Sequence, residues 1–104
     1  EIMAEKLASE SEIKEGEVFT CNTRIGRVAL TRLNGKICAF ENTCTHDGGP
    51  LNGGKLEGSE IVCPRHGARF NMETGEATRM PATESIEVYP VQIEDGQVVV
   101  DLDA

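Results

Sequence analysis

The sequence has little of what would mark a membrane, nucleic-acid-binding or secreted protein. No apolar run in its 104 residues is longer than the four residues 37–40, far short of the about 20 that span a bilayer. Ten Lys and Arg against eighteen Asp and Glu give a formal net charge of −8, so the basic surface that nucleic acids and anionic membranes require is missing. The first residues lack the apolar core of a signal peptide. These absences predict a cytoplasmic protein with neither nucleic acid nor membrane among its partners.

Cysteine is also scarce, and the composition is otherwise ordinary. Four cysteines are too few for a secreted scaffold built on disulfides. Apolar residues make up 38% of the chain and charged residues 27%, which is typical of a soluble globular domain. No repeat, low-complexity tract or Pro/Ser-rich linker divides the chain. The sequence therefore predicts a single domain over residues 1–104.

The local patterns are mostly those of β-strands. Asn34-Gly35 separates two runs of apolar and β-branched residues, which predicts a hairpin with a type I′ turn, and Asp95-Gly96 repeats this pattern near the C-terminus. No stretch of ten residues shows sustained helical spacing, and residues 9–15 supply one helical turn at most. Short strands with glycine-rich turns predict an all-β sandwich or small barrel. The predicted strands are 17–21, 27–33, 36–40, 60–63, 68–71, 86–89, 91–93 and 97–101.

One segment departs from the strand pattern. Residues 42–58 contain five glycines and little apolar alternation. A glycine-rich loop of this length in a compact domain is usually functional.

The two histidines of the chain each stand close to a cysteine. Cys44 and His46 are separated by one residue, Cys63 and His66 by two, and sixteen residues lie between the pairs. Two thiols and two imidazoles on matched loops form a metal-ligand set. A zinc ion accepts these ligands, but zinc sites usually take both cysteines from one short segment and both histidines from another. One ligand of each kind per loop suits two metal ions side by side, with each loop reaching both.

The sequence around these residues resembles the two cluster-binding loops of Rieske-type ferredoxins. The resemblance is carried by residues 44–51 (CTHDGGPL) and 63–70 (CPRHGARF), and by the turn that follows at 71–75. It implies an antiparallel β-sandwich with a small loop-built cluster-binding subdomain at about residues 42–82. It also implies one [2Fe–2S] cluster, with Cys44 and Cys63 as ligands of one iron and His46 and His66 as ligands of the other. In the family a proline-containing segment covers the cluster, and the candidate here is Met80-Pro81-Ala82.

Departures from the wider family are informative. Respiratory and photosynthetic Rieske proteins join their two loops by a disulfide, and the matching positions here are Gly49 and Arg65, so no such bridge can form. The remaining thiols, Cys21 and Cys38, fall in predicted strands, where core packing is the expected role. Arg65 and Arg69 either contact an acidic patch on a partner or are solvated surface charges, and the second reading is favoured for each singly.

The resemblance implies an electron carrier that is not itself an enzyme. Both histidines are committed to the cluster, and 104 residues leave no room for a catalytic oxygenase domain. The chain resembles the ferredoxin component of multicomponent aromatic-ring dioxygenase systems. We therefore expect a monomer that passes single electrons from an NAD(P)H-dependent flavoprotein reductase to the Rieske centre of a terminal oxygenase. Two alternatives remain: the small subunit of an assimilatory nitrite reductase, and a structural zinc-binding module.

Overall fold

The computed structural model describes residues 4–103 and shows an all-β fold. Within residues 4–103 the only helix is a single 3-10 turn at Glu10–Glu12, which agrees with the one helical turn at most that the sequence predicted for residues 9–15. Asn34 and Gly35 have φ angles of 52° and 83°, and Asp95 and Gly96 have 52° and 76°, so both predicted hairpin turns form. The strands are β1 Ala4–Ser9, β2 Val18–Thr23, β3 Gly26–Leu33, β4 Lys36–Glu41, β5 Leu56–Glu57, β6 Glu60–Val62, β7 Arg69–Asn71, β8 Ala77–Arg79, β9 Val88–Tyr89, β10 Val91–Glu94 and β11 Gln97–Asp101.

The strands form three antiparallel sheets. The first has the order β1-β11-β10, the second β2-β3-β4-β9 and the third β5-β6-β7-β8. Pro90 separates β9 from β10, so the chain crosses from the second sheet to the first at this residue. The third sheet lies wholly within the 42–82 segment, which therefore contains regular strands as well as loops.

The two central strands of the second sheet, β3 and β4, are buried on both faces, and this decides where the site lies. Successive residues of a strand point to opposite faces. In β3, Val28 and Leu30 pack with Val98 and Val100 of the first sheet. Ala29, between them, packs with its β4 partner Phe40 against the third sheet and its loops. The longest apolar run of the sequence is thus a strand covered on both sides, rather than a membrane or helical segment.

The sequence did not predict strand β1. Ala4–Ser9 pairs with Gln97–Asp101, with a register shift between Lys6 and Ala8. Its residues are mostly exposed or half-buried, and alanine, glutamate and lysine have low β-propensity. Pairing with β11 therefore creates this strand, and its own residues give no local signal of it. The short strands β5 and β8 were missed for the same reason.

Candidate metal centre

The first of the two predicted metal-binding loops follows β4 and turns back on itself at Cys44. The Cys44 N–H donates to the Gly49 carbonyl oxygen at 2.8 Å, and the Gly48 N–H donates to the Cys44 carbonyl oxygen at 2.7 Å. Gly48 has φ of 77°, a conformation that side-chain-bearing residues rarely adopt. These bonds close a tight loop with His46 at its outer end.

The second loop connects β6 to β7 and repeats the backbone pattern of the first. The Cys63 N–H donates to the Ala68 carbonyl oxygen at 2.7 Å, and the Gly67 N–H donates to the Cys63 carbonyl oxygen at 3.1 Å. Gly67 has φ of 77°, equal to that of Gly48. Each cysteine is therefore the first residue of an equivalent turn. A glycine closes each turn four residues later.

The two loop cysteines are buried side by side. Cys44 is 0% exposed and Cys63 is 1% exposed, and both belong to one apolar cluster with Phe70. All four cysteines of the chain are free thiols. Burial raises the pKa of the Cys44 thiol, and the neighbouring Cys63 adds to this. A thiolate pair in this environment needs a cationic partner.

The two histidines lie outside the thiols and face solvent. Both side chains are exposed, and their ring centroids are 5.1 Å apart with an interplanar angle of 86°. One donor atom from each of Cys44, His46 and Asp47 lies within 4.8 Å of the others. The structure thus brings the four predicted metal ligands to the tips of two adjacent loops, with the sulfurs inside and the imidazoles outside.

Asp47 is a site residue that the sequence analysis missed. Its carboxylate accepts hydrogen bonds from the Arg65 Nε at 2.5 Å and from the Arg65 Nη2 at 3.0 Å. These bonds, with one from the Gly49 N–H, hold the pKa of Asp47 well below its usual range. Its Oδ2 also lies 3.4 Å from the His66 Nδ1, so Asp47 of the first loop contacts two residues of the second.

Asn42 fixes the base of the first loop, and it too was missed. Its side chain is 2% exposed. Its Oδ1 accepts from the Leu51 N–H at 2.8 Å and the Asn52 N–H at 2.9 Å, while its Nδ2 donates to the Asn52 Oδ1 at 2.8 Å. Asparagine at the start of a glycine-rich loop was the available signal, since its side chain commonly satisfies loop backbone groups.

The first loop has two further attachments. The Arg27 Nη2 donates to the Gly48 carbonyl oxygen at 2.8 Å. The Thr45 hydroxyl donates to the Glu84 carbonyl oxygen at 2.7 Å, which joins the loop to the segment that begins at Met80. In that segment Ala82 is 4% exposed and packs in the same cluster as the two thiols.

Neither arginine near the loops is a free surface charge, contrary to the reading favoured from sequence. Arg65 pairs with Asp47 across the two loops. Arg69 pairs with Glu57 at 2.6 Å and Glu60 at 3.4 Å within the third sheet. Both arginines therefore contribute to the internal structure of the segment.

The two remaining thiols lie in the β-sandwich. Cys38 is buried, and Cys21 packs half-buried against the core between the first two sheets. Burial raises the pKa of both thiols, which makes them poor nucleophiles. This agrees with the packing role predicted for them.

The donor set fits a [2Fe–2S] cluster with mixed ligands. Thiolates are soft ligands that bind copper(I), zinc and iron–sulfur clusters, and imidazoles suit iron. The two buried thiols without a disulfide provide the sulfur pair, and the two adjacent imidazoles provide the nitrogen pair.

Within residues 4–103, no helix has the length and apolar character needed to cross a membrane.

The all-β domain and its paired Cys-His loops have the donor set of an iron–sulfur protein. The family described as the Rieske [2Fe–2S] domain matches residues 4–90. The chain belongs to this family, whose cofactor is a [2Fe–2S] cluster.

Named relatives cover most of the chain. The ferredoxin component of the naphthalene 1,2-dioxygenase system of Pseudomonas putida is 42% identical over 92 residues, 88% of each chain. The solved Sphingomonas yanoikuyae B1 ferredoxin has a TM-score of 0.88 and 34% identity, covering 93% of this chain and 96% of its own. A chain in the solved complex of reduced oxygenase and oxidized ferredoxin in carbazole 1,9a-dioxygenase has a TM-score of 0.88 and 31% identity, covering 97% and 94%.

Proposed function

We propose that this protein is a one-electron carrier whose [2Fe–2S] cluster is held by Cys44, His46, Cys63 and His66. The two cysteines ligate one iron and the two histidines ligate the other. The observation that carries this proposal is the opposite exposure of the two ligand pairs. The thiols are at most 1% exposed, whereas the imidazoles lie 5.1 Å apart at the surface.

The arrangement gives the site an inner and an outer side. When bound, a Rieske cluster supplies reversible one-electron transfer. The buried thiols exclude water from the inner side. The exposed imidazoles bring the outer side to the protein surface, where a partner can approach closely. We propose that residues 42–82, which hold both loops and the third sheet, form the cluster-binding subdomain of a single domain.

Electron transfer to an oxygenase is the second part of the proposal. Relatives with close sequence similarity are named as ferredoxin components of dioxygenase systems, and one similar structure is a complex with an oxygenase. We infer that this chain acts as a cytoplasmic monomer that passes electrons to a terminal oxygenase with its own Rieske centre. The donor is an NAD(P)H-dependent flavoprotein reductase. The net charge of −8 supports protein rather than nucleic-acid partners.

Two other functions are less well supported. A structural zinc module disagrees with the family match, because that family carries a [2Fe–2S] cluster. For the small subunit of an assimilatory nitrite reductase, an incomplete ligand motif would be common, whereas all four ligands are present here. The named relatives also favour the ferredoxin.

Substitution of the ligands tests the cluster assignment. Cys44→Ser and His66→Ala should each abolish the normal visible and EPR spectra of the reduced protein, because each iron needs two protein ligands. Cys21→Ser is the matched control, since this thiol lies in the β-sandwich. Two irons, two sulfides and an unchanged EPR signal in either ligand variant would contradict the assignment.

Reconstitution tests the carrier function. The purified protein should accept electrons from a flavoprotein reductase and support aromatic oxidation when a terminal oxygenase is present. It should form no product without the oxygenase. Product formation by this chain and a reductase alone would show that it is an enzyme.

A further inference from the structure

One side chain of the second metal-binding loop spans to the first. Arg65 donates through Nε and Nη2 to the two carboxylate oxygens of Asp47, at 2.5 and 3.0 Å. Its Nη1 donates to the Pro50 carbonyl oxygen at 2.8 Å. Three hydrogen bonds from one planar guanidinium therefore join the second loop to two points of the first, Asp47 within its turn and Pro50 just after it. Lysine cannot reproduce this geometry, because its ammonium lacks the fixed fork of donors.

The first loop leaves space for this guanidinium at Gly49. A Cβ atom at position 49 would lie 2.7 Å from the Arg65 Cζ, 2.8 Å from Nη2 and 2.9 Å from Nε. Gly49 does not have a positive φ, so alanine can adopt its backbone conformation. The absence of a side chain at position 49 therefore serves the close approach of Arg65.

The contact is partly shielded from solvent and held from both sides. The Asp47 side chain is 18% exposed and that of Arg65 is 34% exposed. The Gly49 N–H also donates to Asp47 Oδ1 at 2.9 Å, which orients the carboxylate toward the arginine. A bidentate, charge-assisted pair of this kind is stronger and more directional than an exposed ion pair.

The location of the pair gives it a consequence for the metal centre. Asp47 directly follows His46, and Arg65 directly precedes His66. We propose that Arg65 is a positioning residue that fixes the first metal-binding loop against the second and so sets the separation of the two histidines. This inference rests on the proposed function, because the histidines are the ligands whose positions it explains.

The test compares the loaded wild-type protein with Arg65→Gln, Arg65→Lys and Gly49→Ala. Arg65→Gln removes the pair, and iron loss to a chelator should become about tenfold faster, as expected for loss of charge-assisted hydrogen bonds. Arg65→Lys keeps the charge and should lose iron at a rate between those of the wild type and Arg65→Gln. The matched control is Arg24→Gln. The Arg24 Nη2 donates to both carboxylate oxygens of Asp103 at 3.0 Å, outside both loops, so this variant should leave the rate of iron loss unchanged.

Gly49→Ala separates positioning from charge. The added methyl group displaces the guanidinium without altering the net charge, so this variant should also lose iron faster and show an altered EPR spectrum. In a protein that already carries Arg65→Gln, Gly49→Ala should have little further effect. Non-additivity of this kind is the signature of two residues acting through one contact.

The outcomes distinguish this inference from the proposed function. A wild-type protein without a [2Fe–2S] cluster overturns the proposed function. A normal cluster in the wild type, with iron loss and EPR spectra unchanged in both Arg65→Gln and Gly49→Ala, overturns the positioning role alone. If Arg65→Gln does not fold, Gly49→Ala decides the matter by the same two measurements.

Discussion

Removing the Asn42 side chain should destabilise the protein mainly by leaving a buried backbone N–H without an acceptor. In Asn42→Ala, the Leu51 N–H loses its acceptor inside the core, where Leu51 is 0% exposed. A buried donor without a partner costs about 1–3 kcal/mol. The Asn52 N–H loses the same acceptor, but Asn52 is exposed and water replaces the lost bond at little cost. The buried Leu51 N–H therefore dominates the effect.

The expected loss of stability for Asn42→Ala is about 2 kcal/mol. In a domain of this size, that loss lowers Tm by roughly 10 °C. The assay is thermal unfolding of the cluster-loaded protein followed by circular dichroism at one fixed scan rate. Asn22→Ala is the matched control, because Asn22 lies exposed on β2, and it should change Tm by no more than about 4 °C, as surface substitutions do.

A result in which Asn42→Ala and Asn22→Ala have equal Tm would refute this reasoning. It would mean that the Leu51 N–H finds another acceptor and that Asn42 does not hold the loop. Faster cluster loss in Asn42→Ala with an unchanged Tm would also contradict the stability argument, since it would confine the effect to the loop.

Two further predictions concern the potential and acid stability. Ala68 and Phe70 are buried with the two thiols and have no side-chain donor, so the potential should lie near the low end of the about −150 to +300 mV range of Rieske centres. The double substitution Ala68→Ser with Phe70→Tyr should raise the reduction potential by tens of millivolts in voltammetry. For one electron, about 1.4 kcal/mol of preference for the reduced state equals about 59 mV. A downward shift with an intact cluster would contradict this prediction. Arg69 lowers the pKa of Glu57 below its ordinary value. This pair's stability is therefore present above the unfolded pKa of about 4.3 and is lost as pH falls through the lower folded value. Glu57→Gln should flatten that acid loss in unfolding curves; an unchanged pH dependence would show that the pair contributes nothing.

Local chemistry made several features predictable from the sequence. The turns at Asn34-Gly35 and Asp95-Gly96 depend on two adjacent residues that tolerate positive φ, and both form. The all-β class follows from short apolar runs between such turns. The four candidate ligands could be named because each loop contains its cysteine and histidine within three residues along the chain.

The tertiary structure decided the features that depend on residues far apart in the chain. Strand β1 has no strong β-propensity and forms because β11 offers it a partner. Arg65 was read as a surface charge because its partner, Asp47, is 18 residues away. The inner position of the thiols and the outer position of the imidazoles follow from how the third sheet packs on Phe40. Sequence spacing specifies which donors are available, but burial and the orientation of charged pairs are set only when separate segments pack together, because desolvation depends on every neighbouring group.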